Sequence, residues 1–199
     1  MSTELITKLR EMTGAGIIDC RNALKESNND INKACQWLRE KGMATAVKKA
    51  GRSVKQGLVC SYIHYNGTLG VLVEVNCETD FVAKTEDFKN LVKEIAMQIA
   101  AVAPTYVSRE QISISVIEAE REIYKAQLKE EGKPEKVWDK IIAGKLEKFY
   151  SQICLYDQNY IRDTASKETI KDLVTNAIAK IGENIVIKRF ARFKIGEEQ

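Results

Sequence analysis

Apolar positions recur at helical spacing in the first forty residues. Leu5, Leu9 and Met12 lie on one face of a first helix, which the "TGAG" stretch Thr13–Gly16 stops, because glycine relieves the backbone constraint at a helix end. Ile17, Cys20 and Leu24 resume the period. "SNND" breaks it again, with Asn29 or Asp30 available to cap a third helix that carries Ile31, Ala34, Cys35 and Leu38 and is expected to end at Gly42. A bundle this small has a thin core and is marginal alone. The pattern then changes period. In "GLVCSYIHYNGTLGVLVEVNC" the positions Leu69, Val71, Val73, Val75 and Cys77 alternate, and Asn66-Gly67 predicts a hairpin with a type I′ turn.

Phe88, Leu91, Val92, Ile95, Ile99 and Val102 predict a long amphipathic helix closed by Pro104. A Glu/Lys-rich antiparallel helical hairpin follows over about residues 115–150. Ser115 is a possible N-cap, Gly132 closes the first helix, and Pro134 opens the second at its first position. Residues 152–165 read as irregular. Ile170, Leu173, Val174, Ala177, Ile178 and Ile181 mark another helix. A last strand places Ile185, Ile187, Ala191, Phe193 and Ile195 on one parity, with Arg189 the exception. The expected fold class is α+β, with a three-helix module, an antiparallel three-stranded sheet with packed helices, and a protruding helical hairpin. The boundaries read as 1–42 for the module, 43–55 for a basic linker with some helical character, and 56–199 for the core domain. Three strands leave exposed edges, which are usually covered or used for pairing with a second chain.

Composition narrows the class. Of 199 residues, 44% are apolar and 30% charged, which suits a soluble globular protein and not a disordered one. No apolar run is long enough to span a bilayer and the first residues lack an export signal, so a cytoplasmic location is expected. The net charge of +3 is uneven: residues 1–55 hold 11 Lys/Arg against 6 Asp/Glu, much of the excess in "KKAGRSVK" at 48–55. That run is either a solvated linker or a nucleic-acid contact, and no aromatic is interleaved for base stacking.

Catalytic patterns are missing. Five cysteines in no paired spacing indicate neither a disulfide framework nor a zinc knuckle. His64 stands alone, which rules out His-pair metal sites. "AGKL" at 143–146 lacks the earlier glycine and the Ser/Thr of a phosphate loop, and "TGAG" does not follow a strand. Glu118, Glu120 and Glu122 alternate along a helix and do not converge on one cation. No cofactor, metal or catalytic group is expected, and a binding or regulatory protein is the default. Two rival readings are an RNA- or ribosome-binding module using 48–55 and a thiol enzyme using Cys77.

One stretch asks for a partner. "VLVEVNCETDFVAKTEDF" runs from strand to helix through Thr79, Asp80, Phe81 and Val82. Either Thr79 or Asp80 is simply an N-cap and Phe81 a core residue or hydrophobic staple, or Phe81 is presented to another molecule. Trp37, Trp138 and Tyr150 raise the same choice between packing and an interface anchor.

Two segments carry a family resemblance. "TGAGIIDCRNALKE" and "VLVEVNCETDFVA" resemble the two signatures of elongation factor Ts. "GKPEKVWDKIIAGKLEKFYSQICL" resembles that family's helical arm and "IGENIVIKRFARFKIGE" its terminal strand, so the likeness runs nearly end to end. It implies a guanine-nucleotide exchange factor for elongation factor Tu in translation elongation, without catalytic chemistry of its own. It implies a ubiquitin-associated-like N-terminal module that docks on the partner, with Met12, Gly14, Ala15, Gly16, Ile17 and Ile18 as candidate contacts. It further implies that Thr79, Asp80, Phe81 and Val82 are pushed toward the partner's magnesium and phosphate site, promoting GDP release. GDP-bound and nucleotide-free elongation factor Tu are the implied partners, with no direct nucleic-acid or membrane contact. Longer family members have two tandem cores, whereas this chain has one hairpin and one TDFV corner, so a homodimer is expected.

Overall fold

The computed structural model describes residues 2–163 and 168–197. In chain order the elements are α1 (Thr3–Thr13), α2 (Ile17–Glu26), α3 (Ile31–Lys49), β1 (Gln56–Ile63), β2 (Leu69–Cys77), α4 (Asp80–Ala83), α5 (Glu86–Val102), α6 (Ile114–Glu130), α7 (Trp138–Ile153), α8 (Ile170–Ile181) and β3 (Ile185–Lys194). The strands form an antiparallel sheet in the order β1-β2-β3, and the expected α+β class holds. The chain clusters into two units. One comprises Met1–Cys60, Glu74–Glu94 and Asp172–Lys188; the other comprises Ser61–Val73, Ile95–Lys171 and Arg189–Gln199.

In the first unit, local chemistry sets the helix ends. The Ser2 hydroxyl accepts from the Glu4 amide, and Gly14 at φ 66° closes α1 by donating its N–H to the Arg10 carbonyl. Asn28 and Asn29, both at positive φ, end α2, and Asp30 caps α3 through the Lys33 amide at 3.1 Å. Leu9, Cys20, Ala23, Leu24 and Ala34 are fully buried, with Trp37 and Leu38 packed against them. Helix α3 does not end at Gly42. It continues to Lys49, so residues 43–49 of the expected linker are helix. A Cβ on Gly42 would stand 3.2 Å from the Ala179 Cβ, so this glycine lets α3 lie close to α8, and that packing outweighs the roughly 1 kcal/mol helix penalty of glycine.

In the second unit, the hairpin turn differs from the expected type I′. Gly67 has φ 68° but Asn66 does not have positive φ. The Gly67 amide donates to the His64 carbonyl and His64 pairs with Leu69, so a four-residue loop encloses the turn, and the Asn66 side chain accepts from the Thr68 amide. Helix α6 starts after Ser113, not Ser115, and α7 is preceded by a short 3₁₀ turn, Glu135–Val137, for which Pro134 is the cap and not the first residue. Between α6 and α7, Leu128, Ile142 and Leu146 are buried, with Trp138 and Tyr150 packed against them. The Trp138 Nε1–H donates to the Lys133 carbonyl at 2.9 Å. At the base of this pair, the Arg109 guanidinium makes two hydrogen bonds to Glu147, 2.9 and 2.8 Å, and two to Asp157, 3.0 and 2.7 Å, while stacking on Tyr150. Of the stretch read as irregular, Gln152 and Ile153 belong to α7, Leu155–Asp157 is a 3₁₀ turn, and 164–165 lie outside the described residues.

The last strand breaks its expected parity. Ile185 and Ile187 are buried, but Phe193 and Ile195 are exposed and Ala191 is too. The inward positions of the second half are Phe190 and Arg192, and the Arg192 Nε–H donates to the Ala100 carbonyl.

Candidate functional site

The corner between β2 and α5 lies in the first unit and is built by capping. Thr79 takes extended geometry, φ −124° and ψ 155°, and its hydroxyl accepts from the Val82 amide at 3.3 Å, opening the single turn Asp80–Ala83. Thr85 closes that turn, donating its hydroxyl to the Val82 carbonyl at 2.7 Å and accepting from the Phe88 amide at 3.3 Å. The corner is therefore braced at both ends by short-range bonds. Phe81 projects between the braces with 79% of its surface exposed. It is neither a core residue nor a staple, so of the two readings of this aromatic the packed one is excluded. Asp80 is exposed and pairs with Lys84 at 2.7 Å. That hydrogen bond, reinforced by the charge and by amides of the same turn, holds its carboxyl below the usual aspartate range, so it is anionic at neutral pH. Val82 is half-buried.

A second carboxylate enters the corner from far along the chain. Glu183 Oε2 accepts from the Glu78 amide at 3.1 Å and the Thr79 amide at 3.0 Å, and Oε1 accepts from the Thr79 hydroxyl at 2.6 Å. Sequence reading missed this residue because its partners are more than a hundred positions away; the one available signal is a pair of polar residues, Glu183-Asn184, placed directly before an apolar strand.

Cys77 is fully buried beneath the corner and donates its thiol to the Thr79 carbonyl at 3.2 Å. Burial, aided by the Glu183 charge, pushes the thiol pKa up to about 11, which leaves almost no thiolate at neutral pH and removes the basis for a thiol nucleophile here. His64 stands outside the corner, in the second unit, with its Nδ1 3.1 Å from the Tyr62 hydroxyl. Among the described residues no group of three or more His, Cys, Asp or Glu side chains could hold a metal ion.

The docking candidates fall in one turn of the same unit. Met12, Gly14, Gly16, Ile17 and Ile18 are exposed, and Ala15 is half-buried against the small core of the three helices. The periodicity of α2 would put Ile17 inside with Cys20 and Leu24, but 57% of its surface is in solvent, and 66% of that of Ile18. Two cations of the basic run are committed within the fold: Lys49 Nζ donates to the Gly182 carbonyl, and Arg52 lies 3.5 Å from Glu78.

The family model for elongation factor Ts matches residues 7–167. The chain is 57% identical over 198 residues to an elongation factor Ts of Thermotoga neapolitana, an alignment that spans 100% of this chain and 98% of the relative. It is 59% identical over 197 residues to the protein of that name from Caldanaerobacter subterraneus, covering 99% of this chain and 98% of that one. It is 58% identical to the one from a Thermoanaerobacter species, covering 99% and 96%.

Proposed function

The chain belongs to the elongation factor Ts family, and from that footing we propose that it is a guanine-nucleotide exchange factor for elongation factor Tu in translation elongation, acting in the cytoplasm. The exposed, doubly braced Phe81 carries this reading. The chain needs no catalytic chemistry of its own. It need only bind the nucleotide-free, magnesium-displaced partner better than the loaded one, and linkage then weakens nucleotide binding by the same factor. The α1–α2 turn docks first and gives affinity. The Thr79–Val82 corner then enters near the magnesium and phosphate site, with Phe81 as an apolar wedge and Asp80 as its charged neighbour. Rigidity matters, because a wedge that bends relinquishes the contacts that favour the distorted partner.

A homodimer is part of the same reading. In the second unit, Ile63, Leu72, Phe193 and Ile195 are all exposed on a narrow sheet, Phe193 at 58%. Facing apolar sheets bury such side chains against each other. A second copy would bring a second core to one partner molecule, which a chain with a single TDFV corner otherwise lacks.

The test uses elongation factor Tu loaded with a fluorescent GDP analogue and chased with unlabelled GDP. A substoichiometric amount of the chain is expected to drive release to completion. The acceleration is expected to shrink when EDTA has already removed the magnesium. No acceleration by the chain contradicts exchange, and an undiminished acceleration in EDTA contradicts the magnesium step.

A further inference from the structure

The turn Gly182–Asn184, between α8 and β3, does more than reverse the chain. Gly182 adopts φ 86°, a conformation that other residues rarely take, and its carbonyl accepts from Lys49 Nζ at the end of α3. The Asn184 side chain, in a residue only 3% exposed, donates to the Arg52 carbonyl at 3.0 Å and the Ala50 carbonyl at 3.4 Å. The Asn184 amide donates to Glu78 Oε1 at 2.6 Å, and the other Glu78 oxygen faces Arg52. Between those anchors Glu183 receives both amides and the hydroxyl at the start of the corner. Three segments distant in sequence, residues 49–52, 78–79 and 182–184, thus meet in one hydrogen-bonded clasp within the first unit. Carboxylates accepting several charge-assisted bonds are the stronger class of such contacts.

We infer that Glu183 is a positioning residue for exchange: it fixes the entry of the Thr79–Val82 corner and so aims Phe81, while Asn184 and Gly182 tie that aim to the end of the docking module. The inference rests on the exchange reading. The role of Glu183 is indirect, since its bonds go to Glu78 and Thr79. It acts through Phe81, by lowering the number of orientations from which the wedge must be selected, which reduces the ordering needed when the partner binds. The isosteric Glu183→Gln presents an N–H where an oxygen accepted, so at least one of the Glu78 and Thr79 donors faces a donor or is left without its acceptor.

The experiment is stopped-flow GDP release at varied concentrations of the full-length chain, giving a maximal rate and a half-saturation concentration for wild type, Glu183→Gln, Phe81→Ala and the double variant. Glu183→Gln is expected to lower the maximal rate about tenfold, as for loss of a charge-assisted hydrogen bond, with half-saturation moved less than about twofold. The double variant is expected to be no slower than Phe81→Ala alone, the non-additivity of residues acting as one unit. Thr79→Val, which removes only the 2.6 Å bond and the cap, is expected to show a smaller loss with the same non-additivity, and it serves if Glu183→Gln does not fold. Wild-type speed in Glu183→Gln, or a loss that adds in full to Phe81→Ala, overturns the inference and leaves exchange standing. Wild-type speed in Phe81→Ala overturns it as well. If wild type itself does not accelerate release, the exchange reading and the inference fall together.

Discussion

Truncating Phe81 to alanine should separate function from folding. The side chain is 79% exposed, so its loss removes little packing from the free chain, and stability should change by no more than about 0.5 kcal/mol, the range of surface substitutions. In the complex the same side chain would be covered. Full burial of a phenylalanine is worth roughly 1.5–3 kcal/mol, and the four-fifths now in solvent leaves about 1.2–2.4 kcal/mol to be gained from the partner. At 1.4 kcal/mol per decade, Phe81→Ala should slow GDP release roughly seven- to fiftyfold at saturating concentration. Phe81→Leu, which keeps most of the apolar area, should lose much less. Thermal unfolding followed by circular dichroism supplies the stability, and stopped-flow fluorescence the rate. A drop in melting temperature of several degrees would mean that Phe81 packs within its own chain. An unchanged release rate with unchanged stability would remove the wedge.

Other outcomes follow from named residues. Ile18→Ala, in the exposed α1–α2 turn, should raise the half-saturation concentration in the release assay while leaving the maximal rate near wild type, because it removes docking without touching the corner. Phe193→Glu should convert a dimer to a monomer in analytical ultracentrifugation without unfolding the chain, since the residue is exposed on the sheet. Glu78 titrates below its ordinary value of 4.5, first because the Asn184 amide donates to it and then because of Arg52. A depressed folded value stabilises the fold above the unfolded pKa and is lost as the pH falls through the lower folded one. The melting-temperature gap between wild type and Glu78→Gln should therefore be full above pH 4.5 and close as the pH is taken below it, and a gap independent of pH would count against this assignment.

The elements most legible in the sequence are those whose pattern is local. Strand β2 announces itself through Val71, Val73 and Val75, all buried, and α5 through its stripe from Phe88 to Ile99. Asp30 caps α3 as its position next to an apolar run indicates. What depends on distant partners was not legible. Gly42 looks like a helix end until Ala179 is beside it, because glycine both stops helices and admits close neighbours. The parity of β3 fails after Ile187, where an alternation read from one end gives way to an arginine facing inward. The corner itself was visible as Thr79-Asp80-Phe81-Val82, but periodicity alone could not say whether Phe81 turns in or out. The residue that holds the corner, Glu183, showed only as a polar position ahead of an apolar strand, because its partners lie more than a hundred positions away.

Exchange requires that the chain bind one state of its partner better than another. It is tested most directly by measuring, at fixed magnesium, the affinity of the chain for nucleotide-free and for GDP-bound elongation factor Tu, and the affinity of GDP for elongation factor Tu with and without saturating chain. The chain is expected to prefer the nucleotide-free form, and GDP affinity to fall by the same factor. Equal affinity for the two forms, with GDP bound as tightly in the presence of the chain as in its absence, would contradict it.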